Sequence, residues 1–262
     1  MASTLKNSAH SLSDAKAAGR RLACLTAYDY PTARLLDDCG LDLILVGDSL
    51  GMVVLGYPDT TKVTMADMLH HTRAVARGVK NTFVASDLPA GSCITPALAL
   101  ENARLLRDAG ADAVKIEGGF ECLPMVEAIL ADGIPVIGHL GMLPQRVIEE
   151  GGYHIKGKSP SEGERLLRDA HALEQAGVSA IVLELVHSPL ASLLTKELQI
   201  PTIGIGSGPD CDGQILVLHD VIGLFPWFRP KFAESRADIA SEIQRAARAF
   251  ANATKSVDLI SK

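Results

Sequence analysis

The chain has 262 residues, 47% of them hydrophobic and 21% charged, with 31 acidic against 25 basic side chains and a formal charge of −6. That composition supplies a large core and excludes disorder, and an acidic balance without a basic stripe excludes nucleic acid as a partner. No apolar run reaches the roughly 20 residues of a membrane span, so a cytoplasmic protein with no membrane partner is expected.

The segment from Met1 to Arg20 lacks the apolar core of a secretory signal; it is rich in Ser and Ala, with Lys6, Lys16, Arg20 and the adjoining Arg21. An organelle-targeting peptide is one reading. The simpler one is a short capped helix, with Ser11-Leu12-Ser13-Asp14 leading into Ala15-Lys16-Ala17-Ala18. Strand-like runs then follow near residues 22–27, 42–48, 82–87, 112–117, 135–139, 179–184, 201–205 and 214–218. Helical patterns fit between them at about 31–39, 64–78, 96–109, 122–132, 161–176 and 189–198, with a last one near 234–253.

Helices running into Gly40, Gly110, Gly133 and Gly177 are each followed at once by an apolar strand, the αβ turn of a parallel sheet. Thr95-Pro96 and Ser188-Pro189 place proline at the first helical position after a capping hydroxyl. The alternation predicts an α/β protein, a closed (β/α)8 TIM barrel of about 250 residues, as one domain over 1–262 with a short N-terminal and a C-terminal helix. An open doubly wound sheet is the alternative, because periodicity does not show closure. Cys24, Cys39, Cys93, Cys122 and Cys211 are odd in number and lack CxxC spacing, as expected of free thiols in a reducing compartment.

Four of the runs end on an acid: Leu43-Ile44-Leu45-Val46-Gly47-Asp48, Phe83-Val84-Ala85-Ser86-Asp87, Ala113-Val114-Lys115-Ile116-Glu117 and Ala180-Ile181-Val182-Leu183-Glu184. Buried parallel strands read as nearly continuous apolar runs, so these acids are not core filler. In a barrel such positions converge on one mouth, where the chemistry sits. Four acids and a lysine aimed at one cavity repel or shift their pKa values unless a cation joins them. The pattern points to a metal-assisted enzyme.

Asp48 and Asp87 are hard oxygen ligands that suit Mg²⁺ completed by substrate oxygens and water; as the ordinary alternative, each caps the helix that follows. Zinc is disfavoured, since no His/Cys cluster has the spacing. Lys115 and Glu117 face the same way on a strand, either as an ion pair or with Lys115 binding a carboxylate, stabilising an enolate or forming a Schiff base. Glu184, across the ring, suits a general base or a structural acid, and His139 suits an orienting donor or a catalyst. Gly204-Ile205-Gly206-Ser207-Gly208 fits a close ligand approach, phosphate in many barrels, or a tight turn. Two connections are long, Asp48 to about Val63 and His139 to about Pro160, as lids or subunit contacts often are.

Taken in order, Thr26-Ala27-Tyr28-Asp29, Val46-Gly47-Asp48-Ser49-Leu50-Gly51-Met52, Asp87-Leu88-Pro89, Val114-Lys115-Ile116-Glu117-Gly118-Gly119, Gly138-His139-Leu140-Gly141, Gly151-Gly152-Tyr153 and Ile203-Gly204-Ile205-Gly206 resemble the ketopantoate (3-methyl-2-oxobutanoate) hydroxymethyltransferase family. The match runs from about residue 22 to Phe232. The resemblance implies a barrel of the phosphoenolpyruvate/pyruvate-like type, Mg²⁺, and 5,10-methylenetetrahydrofolate as one-carbon donor to a 2-oxo acid, giving ketopantoate on the route to pantothenate and coenzyme A. It implies metal-site positions at Asp48, Asp87 and Glu117, the last possibly through water. Ketoacid-binding positions fall at Asp48, Ser49, Asp87 and Lys115, with His139 beside them, and the proton acceptor at Glu184. It also implies a large homo-oligomer, commonly a decamer. The chain departs from the family where Ala90-Gly91-Ser92-Cys93 replaces an aromatic residue after Pro89, and again beyond Phe232. A Mg²⁺-dependent carbon–carbon lyase or aldolase on a 2-oxo acid is the nearest rival activity, and an inactive assembly scaffold is the rival outside enzymes.

Overall fold

A computed structural model describes residues 7–256; Met1 to Lys6, part of the stretch weighed as a targeting peptide, lie outside the described residues. The chain divides into two compact units, the first ending at Ile215 and the second beginning at Leu216. The first opens with α1 (Ala9–Ala17), β1 (Leu22–Thr26), α2 (Tyr30–Leu36), β2 (Leu43–Val46) and a single turn, α3 (Leu50–Val53). It continues with α4 (Met65–Gly78), β3 (Phe83–Asp87), α5 (Pro96–Asp108), β4 (Ala113–Glu117), α6 (Leu123–Ala131) and β5 (Val136–Gly141). Then come α7 (Pro160–Ala176), β6 (Ala180–Glu184), α8 (Ser188–Glu197), β7 (Thr202–Ile205) and β8 (Gly213–Leu216), whose last residue opens the second unit.

The eight strands form a closed barrel in sequence order, which resolves the choice against an open sheet. Register brings Asp87 level with Lys115, Glu117 with His139, and Gly141 with Glu184. Inward residues such as Leu43, Phe83, Ala113, Ile137, Ala180 and Val182 fill the interior, while outward Ile44, Val84, Val114, Ile181 and Leu183 are sealed under the helices. Both faces of each strand are thus apolar, as parallel sheets require. Gly177, at φ +98°, ends α7 in the left-handed conformation that the αβ turn needs.

Leu12 and Ala15 of α1 join the interior cluster. Lys16 Nζ bonds Thr195 O at 2.8 Å, Ile200 O at 3.1 Å and Asp212 Oδ2 at 2.9 Å. Ile200 and Asp212 immediately precede β7 and β8 or lie within two residues of them, so α1 closes the N-terminal end of the barrel.

Several boundaries differ from expectation. The N-terminal helix starts at Ala9, because Ser8 is its cap and Ser11 occupies the third helical position, accepting the Ser8 N–H at 3.0 Å. Ser188 is the first residue of α8, with His187 as the cap, whereas Thr95 caps α5 as expected and Ser159-Pro160 repeats the pattern at α7. β2 stops at Val46, leaving Asp48 in the turn beyond it, and β5 runs two residues past His139.

The second unit holds α9 (Leu218–Val221) and α10 (Ile239–Lys255). The latter begins five residues later than the pattern suggests. Bonds from Arg236 N to Val221 O, Ile239 N to Ile222 O and Ala240 N to Gly223 O hold the preceding segment out of the helix, and Asp238 caps it. No helix among the described residues is long and apolar enough to cross a membrane. All five cysteines are free thiols.

Asp37, buried at the end of α2, ties that helix to the start of β3. Its carboxylate accepts the N–H groups of Lys80 at 2.9 Å, Asn81 at 3.0 Å and Thr82 at 2.9 Å. Burial works against the charge, but these donors outweigh it and hold the pKa below the usual carboxylate value. Asp37→Ala is expected to lower stability in urea unfolding by about 2–3 kcal/mol, because buried donors lose a charged acceptor, and Asp37→Asn by less. This contribution is full above the unfolded-state value of about 3.9 and disappears as pH falls through the lower folded-state value.

Candidate active site

The C-terminal ends of β2 to β6 place their ionisable residues in one buried group. At the centre Lys115 Nζ lies 3.1 Å from Asp87 Oδ1, 3.1 Å from His139 Nδ1 and 4.0 Å from Glu117 Oε1. His139 spans to the other side of the ring, with Nδ1 3.5 Å from Glu117 Oε1 and Nε2 3.3 Å from Glu184 Oε2. Asp87 Oδ2 accepts the main-chain N–H of Asp48 at 3.0 Å. Asp87 is therefore bonded to the neighbouring turn and not to the first turn of a following helix. Ser49 Oγ is 2.8 Å from the hydroxyl of Tyr28, which is buried at the end of the first strand.

Charge does not balance within this group. Four acids face one lysine and one histidine, and the Asp48 carboxylate has no cationic contact among the described residues; its bond is from Gln145 Nε2 at 2.8 Å. Burial and the charges of Asp87 and Glu117 push the Asp48 pKa well above its ordinary value. Burial raises Asp87 as well, against the pull of Lys115. Glu117 is buried too, but His139, Lys115 and the Gln145 N–H hold it lower than usual. Burial disfavours the Lys115 charge, yet Asp87, Glu117 and Asp48 together raise its pKa and keep the ammonium charged. For His139, burial and Lys115 act against protonation, while Glu117 and Glu184 outweigh them and bring the pKa up to about 9.

The donor set fits a hard divalent cation. Asp87 Oδ1 and Glu117 Oε1 are fully buried without a well-aligned hydrogen bond, and Asp48 carries charge that burial penalises. Among the described residues no three His, Cys, Asp or Glu side chains form a ready-made cage. Mg²⁺ does not ask for one, since it is held by one or two carboxylates with waters and substrate oxygens. Asp48, Asp87 and Glu117 are the residues that would hold it.

The backbone around Glu184 is shaped for that position. Gly141 sits opposite it at φ +99°, and a Cβ there would lie 2.2 Å from Glu184 O, so only glycine permits the approach. Leu185 is the one non-glycine residue with positive φ among the described residues, at +47°. A left-handed leucine costs roughly 1–2 kcal/mol. It is held there by Leu185 N to Ile205 O at 2.9 Å and by Lys156 N to Leu185 O at 2.8 Å. Ser207, from the glycine-rich segment, accepts the Val186 N–H at 2.9 Å and donates to Leu183 O at 2.7 Å. In this structure the segment clips β6 to β7 through Ser207.

Both long connections fold over this end. The first contains α3 and a 3-10 turn, Thr60–Lys62; the second contains the 3-10 turn Pro144–Arg146. Tyr153 OH of the second reaches Met52 Sδ of the first at 3.9 Å. The Ala90-Gly91-Ser92-Cys93 departure is a closed turn, with Ser92 Oγ donating to Pro89 O and Asn102 Nδ2 to Ser92 O, each at 2.7 Å. Asp48, Ser49, Asp87, Lys115, Glu117, His139 and Glu184, the candidate site residues of the sequence, all lie in this region. Two participants carry no sequence signal for their role: Gln145, in a loop without periodicity, and Tyr28, whose motif does not encode its bond to Ser49.

Comparison with known proteins agrees with this arrangement. The ketopantoate hydroxymethyltransferase family model matches residues 6–259. A 3-methyl-2-oxobutanoate hydroxymethyltransferase of Thermoanaerobacter sp. (strain X514) is 53% identical over 226 residues, 86% of this chain and 82% of that protein. One from Acetivibrio thermocellus is 51% identical over 244 residues, covering 92% and 86%, and one from Thermus thermophilus is 50% identical over 236 residues, covering 90% of each. Among solved structures, the phosphoenolpyruvate phosphomutase of Streptomyces platensis subsp. rosaceus superposes with a TM-score of 0.64 at 17% identity, covering 98% of this chain and 92% of that one. A 2,3-dimethylmalate lyase of the PEP mutase/isocitrate lyase superfamily gives the same score, identity and coverage. At that identity the likeness is one of fold, the closed parallel (β/α)8 barrel. With half its residues shared with enzymes of one name and a family match over nearly its whole length, the chain belongs to the ketopantoate hydroxymethyltransferase family.

Proposed function

We propose that the protein transfers a hydroxymethyl group from 5,10-methylenetetrahydrofolate to C3 of 3-methyl-2-oxobutanoate, giving ketopantoate for pantothenate synthesis, with Mg²⁺ in the site. The observation that carries this reading is a charged Lys115 set among acids on one side of His139, with Glu184 on the other side. Family membership and the relatives' names support the substrate and the reaction type.

The C3 proton lies next to the keto group and is too weakly acidic to leave unaided at neutral pH. When bound, Mg²⁺ supplies positive charge beside the keto and carboxylate oxygens of the substrate and so favours enolate formation. Lys115 adds a second, fixed positive charge near the same oxygens. Ser49, oriented by Tyr28, offers a hydroxyl to the carboxylate. Glu184, with 14% of its side chain exposed, is the acid of the group nearest solvent and takes the C3 proton. His139 lies between two of the acids, with Nε2 3.3 Å from Glu184 Oε2 and Nδ1 3.5 Å from Glu117 Oε1. The nucleophilic C3 then bonds to the folate methylene; overall, water supplies the hydroxyl oxygen and tetrahydrofolate leaves. A Schiff-base reaction at Lys115 is disfavoured, because that chemistry needs a neutral amine and the surrounding acids keep this one charged. The second unit supports self-association, since α10 buries none of its residues and leaves Ile243 and Phe250 exposed.

Omitting the 2-oxo acid, methylenetetrahydrofolate or Mg²⁺ in turn is expected to abolish product formation; product without folate would favour a lyase or aldolase. Exchange of the C3 proton in D₂O, followed by NMR without folate, isolates the first half of the reaction. It should stop on chelation of Mg²⁺ and in Asp48→Asn, and undiminished exchange in either case contradicts the reading. Glu184→Gln should slow the same exchange by about 10²–10⁴-fold, the usual contribution of a general base.

A further inference from the structure

We propose that Gln145 is a positioning residue that ties the long β5–α7 connection to the site and sets the placement of Asp48 and Glu117. Its side-chain NH₂ uses both hydrogens, donating to Asp48 Oδ2 at 2.8 Å and to Leu88 O at 2.9 Å. Its main-chain N–H donates to Glu117 Oε2 at 3.1 Å. One loop residue therefore touches the acid of the turn after β2, the acid that ends β4 and the carbonyl that follows Asp87.

The strands alone do not do this work. Asp48 lies beyond the last ladder residue of β2, so strand register leaves its carboxylate unfixed. Gln145 Nε2 is the hydrogen-bond donor to that carboxylate among the described residues. Glu117 is on the ladder, but its other oxygen faces Lys115 and His139 at 4.0 and 3.5 Å, distances too long to fix it. The Gln145 N–H is the short contact that orients it. Gln145 itself is held by the 3-10 turn Pro144–Arg146, whose proline is buried, so the donor pair is carried on a rigid support. Two acceptors on the side-chain amide also fix which of its ends is nitrogen.

The consequence runs both ways. The loop sets the acids, and whatever engages the acids acts on the loop, including Tyr153 and its contact with Met52. Outer groups that orient ligating carboxylates usually change metal affinity by about 10–100-fold when removed. For the metal arm, the inference rests on the reading of the site given above; for the loop arm it does not.

The test uses the full-length protein and Gln145→Met, which keeps the side chain's length and the main-chain N–H and removes the side-chain amide, with Gln145→Ala as a second variant. In metal-free protein, hydrogen exchange of the amides over 142–152 should accelerate by about tenfold, the equivalent of one hydrogen bond lost. Thermal unfolding should remain within a few degrees of wild type, an order-of-magnitude margin for a single contact. Mn²⁺ titration followed by EPR should show binding about 10–100-fold weaker in both variants. Unchanged loop exchange, or unchanged Mn²⁺ affinity in a protein whose wild type binds the ion, overturns the role of Gln145. A wild type that takes up no Mn²⁺ overturns the metal reading instead, and the exchange measurement then decides the inference on its own.

Discussion

Lys115 is buried at the end of β4 with Asp87 3.1 Å away, and burying an ammonium is tolerated only with a partner. That single requirement organises the barrel mouth. One carboxylate would have answered the lysine, but Asp48, Glu117 and Glu184 are also there, directly or through His139. The surplus of acid is unfavourable for the folded chain by itself. A low dielectric strengthens both the attraction to Lys115 and the mutual repulsion of the acids. The arrangement is thus better suited to binding positive charge and a polar ligand than to stability, as is common where function and packing compete.

The geometry that maintains this group is spread over elements with no acid of their own. Gly141 lets β5 approach the Glu184 carbonyl, and left-handed Leu185 turns the chain directly after Glu184. Ser207 closes the gap between β6 and β7. Each spends local conformational energy on a side chain that another strand needs. Strain next to Glu184 is retained because Ile205 and Lys156 bond the Leu185 main chain from both sides. A relaxed backbone at this point would aim the carboxylate elsewhere.

The strands were legible because their signal is local: short apolar runs, each entered from a helix through glycine and ended by a polar residue. Closure was not local and came only from pairing. The acids were legible as a recurrence at strand ends, although Asp48 proved to lie in the turn past β2. His139, on the sequence either an orienting donor or a catalyst, contacts Lys115, Glu117 and Glu184. Nothing in Gly138-His139 encodes those contacts, which depend on strands distant in sequence. Gln145 was invisible for the same reason, being a common polar residue in an irregular connection. Cap positions slipped where two hydroxyls competed: Ser11 is a plausible cap, but Ser8 three residues earlier makes the reciprocal arrangement with it. The last helix slipped because main-chain bonds to 221–223, not propensity, decide where it can start.

Leu12 and Ala15 stopper the N-terminal end of the barrel, and Lys16 rivets them to the residues leading into β7 and β8. With that end sealed and the interior filled by side chains, Lys115 and its acids at the opposite rim meet solvent through the C-terminal face of the barrel.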